Sequence, residues 1–483
     1  MKYRLIIFAV AYLLFNTSVN FCQPELKMPN TPASGVLQDL ISAYNTGSRT
    51  KIESFLRSNY LSIDTTKLIS KPEYWMDLFS RFGPVDMYSV SINKPFDIEV
   101  WVQGRISRFW FAPEIILNKE TGKIKATGLL MGTQPPGTSA PAGNDEELIS
   151  KIDKYLTINA QDSLFQGNVL IQHKDRIVFN KSYGFKNFER NEKNSADTRM
   201  RISSVTKIFT AIACLQLAQN GAIELNTPVS KYLPELPENI SGKITIYNLL
   251  THTSGYELDG IEGFRDELEK TNSISGVYSA QLKYLPGWEF YNNFSVLQKF
   301  DYSNDSYDLL AVIIEKVSGM AYQEYLRKNI FDVCKMPNTS FSVQGVSTPY
   351  RFDIKKGGLM DHESFYPNTV GKISGAAGLI STTGDLLNFF NTLRYNNSLL
   401  DMPHKSLLNA PLVKRDDSEY QSLGLNISYD QVLNIGHNGT NIGNSAEFRY
   451  FPDSDYLMIV LCNNRSGAHN FYSFFKNNIP VTR

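Results

Sequence analysis

Cysteine and histidine are scarce in this chain, which has four cysteines and six histidines among 483 residues. No spacing of these residues suggests a metal site, and the sequence predicts neither a metal nor a cofactor. Cys214 lies within a helical apolar pattern and Cys462 ends the apolar run 456–461, so both are predicted to be small core residues. The sequence therefore argues against a disulfide framework.

An excess of charge of either sign is also absent. The 48 basic and 48 acidic residues cancel, and neither sign forms a long run. The charge distribution therefore does not predict nucleic acid as a partner. What is present is a hydrophobic content of 42% and an aromatic content of 12%, which suffices for packed cores in a chain long enough for two domains.

Long hydrophobic runs are missing after the N-terminus. Two basic residues precede the apolar run 5–15, and this layout predicts a secretory signal peptide over residues 1–22. We therefore expect an exported protein, periplasmic or extracellular, without a membrane span. Cys22 stands where a lipoprotein cysteine could, but Phe21 is bulkier than the residue usual before one. A cleaved signal and a lipid anchor at Cys22 both stay open.

The rest of the chain divides into two regions joined by a proline- and glycine-rich linker at residues 132–144. Residues 30–131 predict a small α+β domain, with helical patterns first and strand-like runs after them. The predicted helices are 36–44, 51–56 and 74–81, and the predicted strands are 87–93, 96–102, 106–111 and 123–130. In its order of elements this region resembles the cystatin-like and nuclear-transport-factor-2-like domains that precede some secreted hydrolases. A structural or docking module is favoured over a ligand-binding pocket.

Residues 145–483 predict one larger α+β domain. Its beginning and end supply strands and its middle is mostly helical, so we expect a sheet, a helical lobe and a cleft between them. The predicted helices at its ends are 146–156 and 470–477, and the predicted strands are 168–173, 176–183, 432–435, 447–451 and 457–462.

The run Ser204-Val205-Thr206-Lys207 opens an apolar helical pattern. A serine hydroxyl is a poor nucleophile near neutral pH, and a lysine one helical turn away can take its proton. The helix start also favours the negative charge of an acyl-transfer intermediate. Ser203 is a second candidate, and we assign it the N-cap of the helix and Ser204 the chemistry. Because so short a pattern also occurs at the start of ordinary solvated helices, other parts of the sequence must show whether Ser204 is catalytic.

A second polar run, Tyr302-Ser303-Asn304, precedes the apolar helical pattern 307–319. A loop anchored by such a helix can hold a phenol and an amide rigidly. Beside a lysine the Tyr302 phenol is a candidate general base. Taken alone, the run is more often a packing tyrosine beside a turn asparagine.

A third run, His437-Asn438-Gly439-Thr440, has a strand pattern. The glycine lets a substrate backbone approach closely, and His437 is expected to face the cleft. The backbone N–H of Thr440 is a candidate second oxyanion donor, together with that of Ser204. A lone histidine beside a glycine is more often structural.

Taken together, the three runs resemble the motifs of the penicillin-recognising serine hydrolases of the class C β-lactamase type, which include DD-carboxypeptidases, D-aminopeptidases and carboxylesterases. The family's motifs Ser-x-x-Lys, Tyr-x-Asn and Lys- or His-x-Gly match Ser204 with Lys207, Tyr302 with Asn304, and His437 with Gly439. Supporting runs also match, and they are 249–255, 286–287 and 377–382. The resemblance covers residues 145–472.

The resemblance implies an antiparallel sheet flanked by helices, with an all-helical lobe. It implies a hydrolase that forms an acyl-enzyme on Ser204, with Lys207 and Tyr302 shuttling the proton, and a small-molecule or peptide substrate such as a D-amino-acid peptide, an amide or a small ester. Asn304 is implied to hold Lys207 and the amide oxygen of the substrate. His252, in a turn motif of the family, is implied to be structural.

Two features depart from the family pattern. The proline-glycine pair normally stands a few residues before the Tyr-x-Asn motif, whereas residues 291–301 intervene here, and Tyr291-Asn292-Asn293 has the same form. We prefer Tyr302 because the expected helix follows Asn304 directly, and the segment 291–301 is then expected at the rim of the cleft. The histidine at position 437 replaces the lysine of true class C β-lactamases, which favours peptidase or esterase activity. A true β-lactamase and an inactive penicillin-binding-like sensor stay open as alternatives.

Overall fold

The computed structural model describes residues 26–60, 72–105, 110–132, 141–161, 163–288, 294–297, 299–353, 358–361, 372–441 and 443–480. The predicted signal peptide, Cys22, most of the predicted linker and the Tyr291-Asn292-Asn293 alternative lie outside these residues. Within the described ranges, no helix is long and apolar enough to cross a bilayer. Cys214 and Cys462 are buried free thiols, which confirms their predicted places in the core.

The front region places helices beside a four-stranded antiparallel meander. The helices are α1 (Pro32–Asn45), α2 (Arg49–Asn59) and α3 (Pro72–Phe82). The strands pair in chain order and are β1 (Val85–Lys94), β2 (Asp97–Gly104), β3 (Trp110–Leu117) and β4 (Ile124–Gly132). Leu37 and Trp75 of the helices share one apolar core with Val100 and Phe111 of the sheet. The kinship of this region to cystatin-like domains stays a prediction.

The predicted third strand of this meander, 106–111, was wrong at its end. Residues 106–109 lie outside the described part of the chain, and the described strand, Trp110–Leu117, continues beyond Pro113. A proline has no N–H for a sheet ladder and therefore reads as a strand end. In the sheet Pro113 pairs with Leu129 on one side, while the ladder to β2 skips its position on the other.

The larger region is built on an eight-stranded antiparallel sheet with the strand order β13-β14-β15-β16-β17-β18-β5-β6. Its strands are β5 (Gly167–His173), β6 (Arg176–Tyr183), β13 (Val413–Lys414), β14 (Glu419–Gln421), β15 (Asn426–Ser428), β16 (Asn434–Asn441), β17 (Asn444–Phe451) and β18 (Tyr456–Cys462). Two-stranded ribbons complete the strands, and they are β7 (Phe185–Asn187) with β8 (Glu192–Lys193), β9 (Met200–Arg201) with β12 (Ile380–Ser381), and β10 (Tyr350–Asp353) with β11 (Gly358–Asp361). The predicted α+β class with an antiparallel sheet is confirmed.

Helices cover both faces of this sheet because alternate side chains of its strands point to opposite faces. On one face α4 (Asp145–Gln161) and α15 (Gly467–Asn478) enclose an apolar cluster with β5 and β18. On the other face lies the main core, which contains α5 (Thr206–Gln219) and α13 (Thr383–Tyr395).

The middle of the chain forms the predicted helical lobe. Its helices are α6 (Glu238–Ser241), α7 (Ile246–Leu250), α8 (Phe264–Glu269), α9 (Ile274–Tyr284), α10 (Asn304–Ser318), α11 (Tyr322–Leu326), α12 (Asp332–Cys334) and α14 (Met402–Leu408). A 3₁₀ turn at Ser203–Val205 leads into α5, while 3₁₀ turns at Val229–Lys231 and Leu285–Gly287 and a π turn at Arg327–Phe331 lie between the helices. The helix α10 is well terminated, because Ser303 caps its start and Gly319, at φ +68°, ends it.

The strand β16 carries the third motif and differs from its prediction. The strand predicted at 432–435 begins later, at Asn434, whereas the strand pattern predicted for His437 to Thr440 is confirmed, because β16 runs on through these residues to Asn441. The neighbouring strand β15 pairs only with residues 434–436, whereas β17 pairs along the whole of β16 from Ile435. The His437–Asn441 half of β16 therefore has one edge that β15 does not cover.

Candidate active site

The proposed nucleophile lies on a tight turn in front of α5. Ser203–Val205 form the 3₁₀ turn, and Ser203 has φ +46°, a conformation that residues with a side chain rarely adopt. The predicted N-cap role of Ser203 was wrong, because no side-chain cap bond is present at this helix start. The Ser203 hydroxyl instead accepts a hydrogen bond of 2.8 Å from the Asn444 side chain. The turn is thus held by a strand of the sheet, and Ser204 is the serine left for chemistry.

Gly439 brings β16 against this turn. A Cβ atom added at Gly439 would stand 2.1 Å from the carbonyl oxygen of Ile202, so only glycine fits there. Sequence reasoning ascribed the glycine to the approach of a substrate, whereas the close neighbour is the chain's own backbone just before Ser203. The contact fixes Thr440 next to the nucleophile turn.

Lys207 is fully buried and makes three hydrogen bonds through Nζ. It contacts Ser204 Oγ at 3.3 Å, Asn304 Oδ1 at 2.8 Å and the carbonyl oxygen of Ala376 at 2.9 Å. In the described part of the chain, no carboxylate lies within ion-pair distance of this amine. The structure thus brings Ser204, Lys207 and Asn304 together, although almost a hundred residues separate the first motif from the second.

The Tyr302 hydroxyl donates a hydrogen bond of 3.0 Å to Ser204 Oγ. The Lys207 amine lies 4.8 Å from the centre of the Tyr302 ring, and the side chain of His252 stacks on the same ring at 4.4 Å. His252 also accepts a hydrogen bond of 3.0 Å at Nδ1 from the backbone N–H of Ser303. His252 is therefore a positioning residue, which holds both the ring and the backbone of the Tyr302 loop.

Sequence reasoning missed the residues that hold Ala376 against Lys207. The buried carboxylate of Asp308, on α10, accepts hydrogen bonds from the Ser374 hydroxyl at 2.7 Å and from the Gly375 N–H at 2.8 Å. Burial raises the pKa of Asp308. The only signal in the sequence was that position 308 is an acid inside an apolar helical run, four residues after Asn304.

His437 is buried, and its ring nitrogens have different surroundings. Nδ1 lies 2.5 Å from the carbonyl oxygen of Asn438, and because a carbonyl only accepts, Nδ1 carries the hydrogen. Nε2 is then a bare acceptor, and it is buried without a partner among the described residues. Burial and the neighbouring positive charges, first that of Lys207, lower the pKa of His437 to about 3. The residue at the family's lysine position is therefore neutral here.

Replacing His437 by glutamine should reduce the decrease in the free energy of unfolding that occurs as the pH falls. Histidine in an unfolded chain titrates near pH 6.5, and the pKa of His437 in the folded chain is about 3. Between these values the unfolded chain binds a proton that the folded chain does not, so the free energy of unfolding falls as the pH falls. From pH 7 to pH 4.5 we expect wild type to lose about 2.5 kcal/mol more than His437→Gln in urea unfolding. Equal losses in the two proteins would contradict a buried neutral histidine.

A series of hydrogen-bonded polar side chains contacts Thr440 on the face of the sheet that α15 covers. The exposed Thr440 hydroxyl lies 2.6 Å from His469 Nε2, and His469 Nδ1 lies 2.6 Å from a carboxylate oxygen of the buried Glu447. Arg449 donates to the other oxygen of Glu447 at 2.9 Å. Because a carboxylate only accepts, His469 Nδ1 carries a hydrogen, and the pair anchors Thr440 to α15. Sequence reasoning missed His469 and Glu447, which no local pattern connects to Thr440.

A family model described as Beta-lactamase matches residues 157–472. The chain belongs to the beta-lactamase family. The resemblance inferred from the three motifs is thereby confirmed, and so is the class of enzyme, a serine hydrolase of the β-lactamase type, at the level of the family.

Curated relatives from Staphylococcus aureus are similar over part of their length. Protein flp of strain N315 is 30% identical over 346 residues, which cover 66% of this chain and 64% of the relative. A teichoic acid D-alanine hydrolase is 30% identical over 239 residues, which cover 49% of this chain and 55% of that relative. The chain thus spans less than two thirds of the length of these relatives.

Solved structures share the fold. A penicillin binding protein from Bacillus halodurans is 25% identical, with a TM-score of 0.58 over 66% of this chain and 98% of that chain. A D-amino acid amidase from Ochrobactrum anthropi is 20% identical, with a TM-score of 0.53 over 68% and 94%. The hydrolase EstCE1 is 20% identical, with a TM-score of 0.56 over 69% and 98%. The last two likenesses concern the fold alone.

Proposed function

We propose that this chain hydrolyses esters or amides of D-amino acids through an acyl-enzyme on Ser204. The observation that carries the proposal is the position of the Ser204 hydroxyl, which lies 3.3 Å from the Lys207 amine and 3.0 Å from the Tyr302 hydroxyl. A serine with two such neighbours can lose its proton as it attacks a carbonyl carbon.

The contacts of Lys207 suit a proton acceptor in the form of the enzyme in which its amine is neutral. A neutral amine has two N–H bonds and one lone pair. The side-chain oxygen of Asn304 and the carbonyl oxygen of Ala376 accept two hydrogens, which leaves the lone pair for the Ser204 hydroxyl. Lys207 is accordingly the proposed first acceptor of the proton.

In the proposed acylation step one bond forms and one bond breaks. Ser204 Oγ bonds to the carbonyl carbon as its proton passes to Lys207, and Tyr302 hands a proton to the leaving oxygen or nitrogen as that bond breaks. Tyr302, now a phenolate, next takes a proton from a water molecule that attacks the acyl carbon, and Lys207 returns its proton to Ser204 Oγ as the acyl bond breaks and the acid is released. The backbone N–H groups of Ser204 and Thr440 are the proposed oxyanion donors, which the tight packing of Gly439 on Ile202 supports.

The proposed substrate class comes from the relatives together with His437. One relative is a teichoic acid D-alanine hydrolase, and the structural neighbours include a D-amino acid amidase and EstCE1, a hydrolase with promiscuous acyltransferase activity. A D-alanyl ester or a D-amino-acid amide outside the cytoplasm fits these names and the predicted signal peptide. A β-lactam is disfavoured, because a neutral His437 provides no permanent cation for its carboxylate.

A substrate panel tests this proposal. We expect D-alanylglycerol ester or D-alanine p-nitroanilide to be hydrolysed with a kcat/KM at least about 100-fold above that for the L-alanine counterpart and for the cephalosporin nitrocefin. Alanine release and absorbance measure the rates, and Ser204→Ala protein is the blank. A nitrocefin rate equal to the D-alanyl rate would favour the β-lactamase alternative. Equal rates for D- and L-alanine would refute the stereochemical part of the proposal.

A further inference from the structure

The hydroxyl of Thr440 ends a series of hydrogen bonds that the proposed reaction does not use. His469 Nε2 lies 2.6 Å from this hydroxyl, and His469 Nδ1 lies 2.6 Å from an oxygen of Glu447. Glu447 is buried, His469 is half-buried and Thr440 is exposed. The series therefore connects a buried carboxylate with a hydroxyl that a bound molecule can reach.

The Glu447 carboxyl is ionised. Burial opposes its charge, but the charge of Arg449 and the hydrogen bond with His469 lower the pKa of Glu447. Arg449 donates to one carboxylate oxygen at 2.9 Å, and both of these side chains are buried. Because Arg449 already pairs the carboxylate with a positive charge, we assign His469 the neutral form of its ring.

The single hydrogen of the Thr440 hydroxyl is then turned towards His469. Nδ1 of the neutral ring donates to Glu447, since a carboxylate only accepts, and Nε2 is left as an acceptor. A hydroxyl 2.6 Å from such a nitrogen donates its hydrogen to it. Only the lone pairs of Thr440 Oγ1 remain, so this atom can accept a hydrogen bond from a bound molecule and has none to donate.

This acceptor belongs to the residue whose backbone N–H is a proposed oxyanion donor. In any threonine the backbone nitrogen and Oγ1 are about 2.8–3.7 Å apart, because three bonds join them. The close packing of Gly439 on the carbonyl oxygen of Ile202 fixes this part of β16 beside the nucleophile turn. When the Thr440 N–H holds the carbonyl oxygen of a substrate, the groups next to that carbonyl are within reach of Thr440 Oγ1.

We propose that Thr440 Oγ1 accepts a hydrogen bond from an N–H or O–H group that the substrate carries next to its scissile carbonyl. The inference rests on the proposed function and narrows its substrates to compounds with such a donor. In a D-alanyl ester the donor has two possible sources, the α-ammonium group of the alanyl residue or a hydroxyl on the second carbon of the alcohol. His469 and Glu447 are positioning residues, which keep the Thr440 hydrogen turned away from the substrate.

Two pairs of esters distinguish these sources. One pair is the 2-hydroxyethyl and the 2-methoxyethyl ester of D-alanine, in which methylation removes the O–H donor and keeps the oxygen. The other pair is D-alanine methyl ester and methyl isobutyrate, in which a methyl group replaces the ammonium group. For wild type we expect a kcat/KM at least about 10-fold higher for the donor-bearing member of one pair.

The ratio of kcat/KM within a pair is the quantity to compare among variants, because a displaced oxyanion donor lowers both rates alike. Thr440→Val keeps the shape and the backbone N–H but has no acceptor, and its ratio should fall to within about 2-fold of one. Thr440→Ser keeps the hydroxyl and should keep the preference.

Variants of α15 test the positioning residues. His469→Phe releases the hydrogen of Thr440, and the ratio should fall at least about 5-fold, mainly through KM. His469→Gln has an amide that can accept from Thr440 and donate to Glu447, and should keep part of the preference. Ser473→Ala is the matched control, because it removes a hydroxyl one turn further along the helix, which donates to the carbonyl oxygen of His469 at 3.2 Å. It should leave the ratio unchanged.

The outcomes separate the inference from the proposed function. If wild type cleaves both members of each pair with equal kcat/KM, the acceptor role of Thr440 is refuted while the hydrolase proposal stands. The same conclusion follows if Thr440→Val keeps the preference of wild type, or if His469→Phe loses activity equally on both members. If wild type cleaves none of the four esters, both proposals fail.

Discussion

Ser204→Ala protein should lose ester and amide hydrolysis by a factor of about 10⁴ or more in kcat. The variant keeps the turn and the buried Lys207, but it has no atom that can form the bond to the acyl group. Initial rates on the best substrate of the panel measure the loss.

Ser203→Ala is the matched control. Ser203 is the neighbouring serine, its φ is +46°, and its hydroxyl accepts from Asn444 at 2.8 Å. We expect this variant to lose about 1 kcal/mol of stability and to keep activity within about 10-fold of wild type. If instead Ser203→Ala were inactive and Ser204→Ala active, the assignment of the nucleophile would be reversed.

The second large effect is expected for Lys207→Met, which keeps the length and the packing of the side chain. Removing the amine takes away the proposed proton acceptor of Ser204, and we expect kcat to fall about 10³-fold. It also leaves the oxygens of Asn304 and Ala376 without their buried donor, which we expect to cost about 1–3 kcal/mol of stability. Circular dichroism and urea unfolding show whether the variant is folded under the conditions of the assay.

This variant also separates the enzyme from the inactive sensor alternative. A protein that only binds ligands in the cleft has no turnover for Lys207→Met to remove. Turnover by wild type that Lys207→Met loses, in a protein that stays folded, excludes the sensor. Unchanged turnover in folded Lys207→Met would mean that Tyr302 or another base accepts the proton.

The local part of the site could be predicted from the sequence, because its signals are short. Ser204 and Lys207 stand one turn apart at a helix start, and Tyr302 and Asn304 flank the N-cap of α10. These residues could be assigned to one site only because three motifs occur in the order that the family's motifs have. The contact of Lys207 with Asn304, at 2.8 Å, has no local signature in either segment.

The supporting residues could not be predicted, because each acts through a partner that is distant in the chain. Asp308 reaches Ser374 and Gly375, and His469 reaches Thr440 and Glu447 across the sheet. Apolar periodicity reports which face of an element is buried and contains no information about such polar pairs.

Secondary structure was likewise predicted correctly where its signal is local in the sequence. Long periodic elements were predicted near their true bounds, as with the strand 176–183, which matches β6. Errors arose where a residue type occurs in two structural roles. Pro113 lies inside β3 although proline often ends a strand, and Ser203 lies in a turn before α5 although serine often caps a helix. The short strands β13, β14 and β15 have too few residues for a periodic pattern and were not predicted.

The most direct test of the central claim is to find the acyl group on the protein. Wild type quenched in acid while it turns over a D-alanyl ester should carry one added alanyl group by intact-protein mass spectrometry, and peptide mapping should locate it on Ser204. Ser204→Ala protein should carry none. An adduct on Ser203 or Thr440, or continued turnover by Ser204→Ala, would contradict the account.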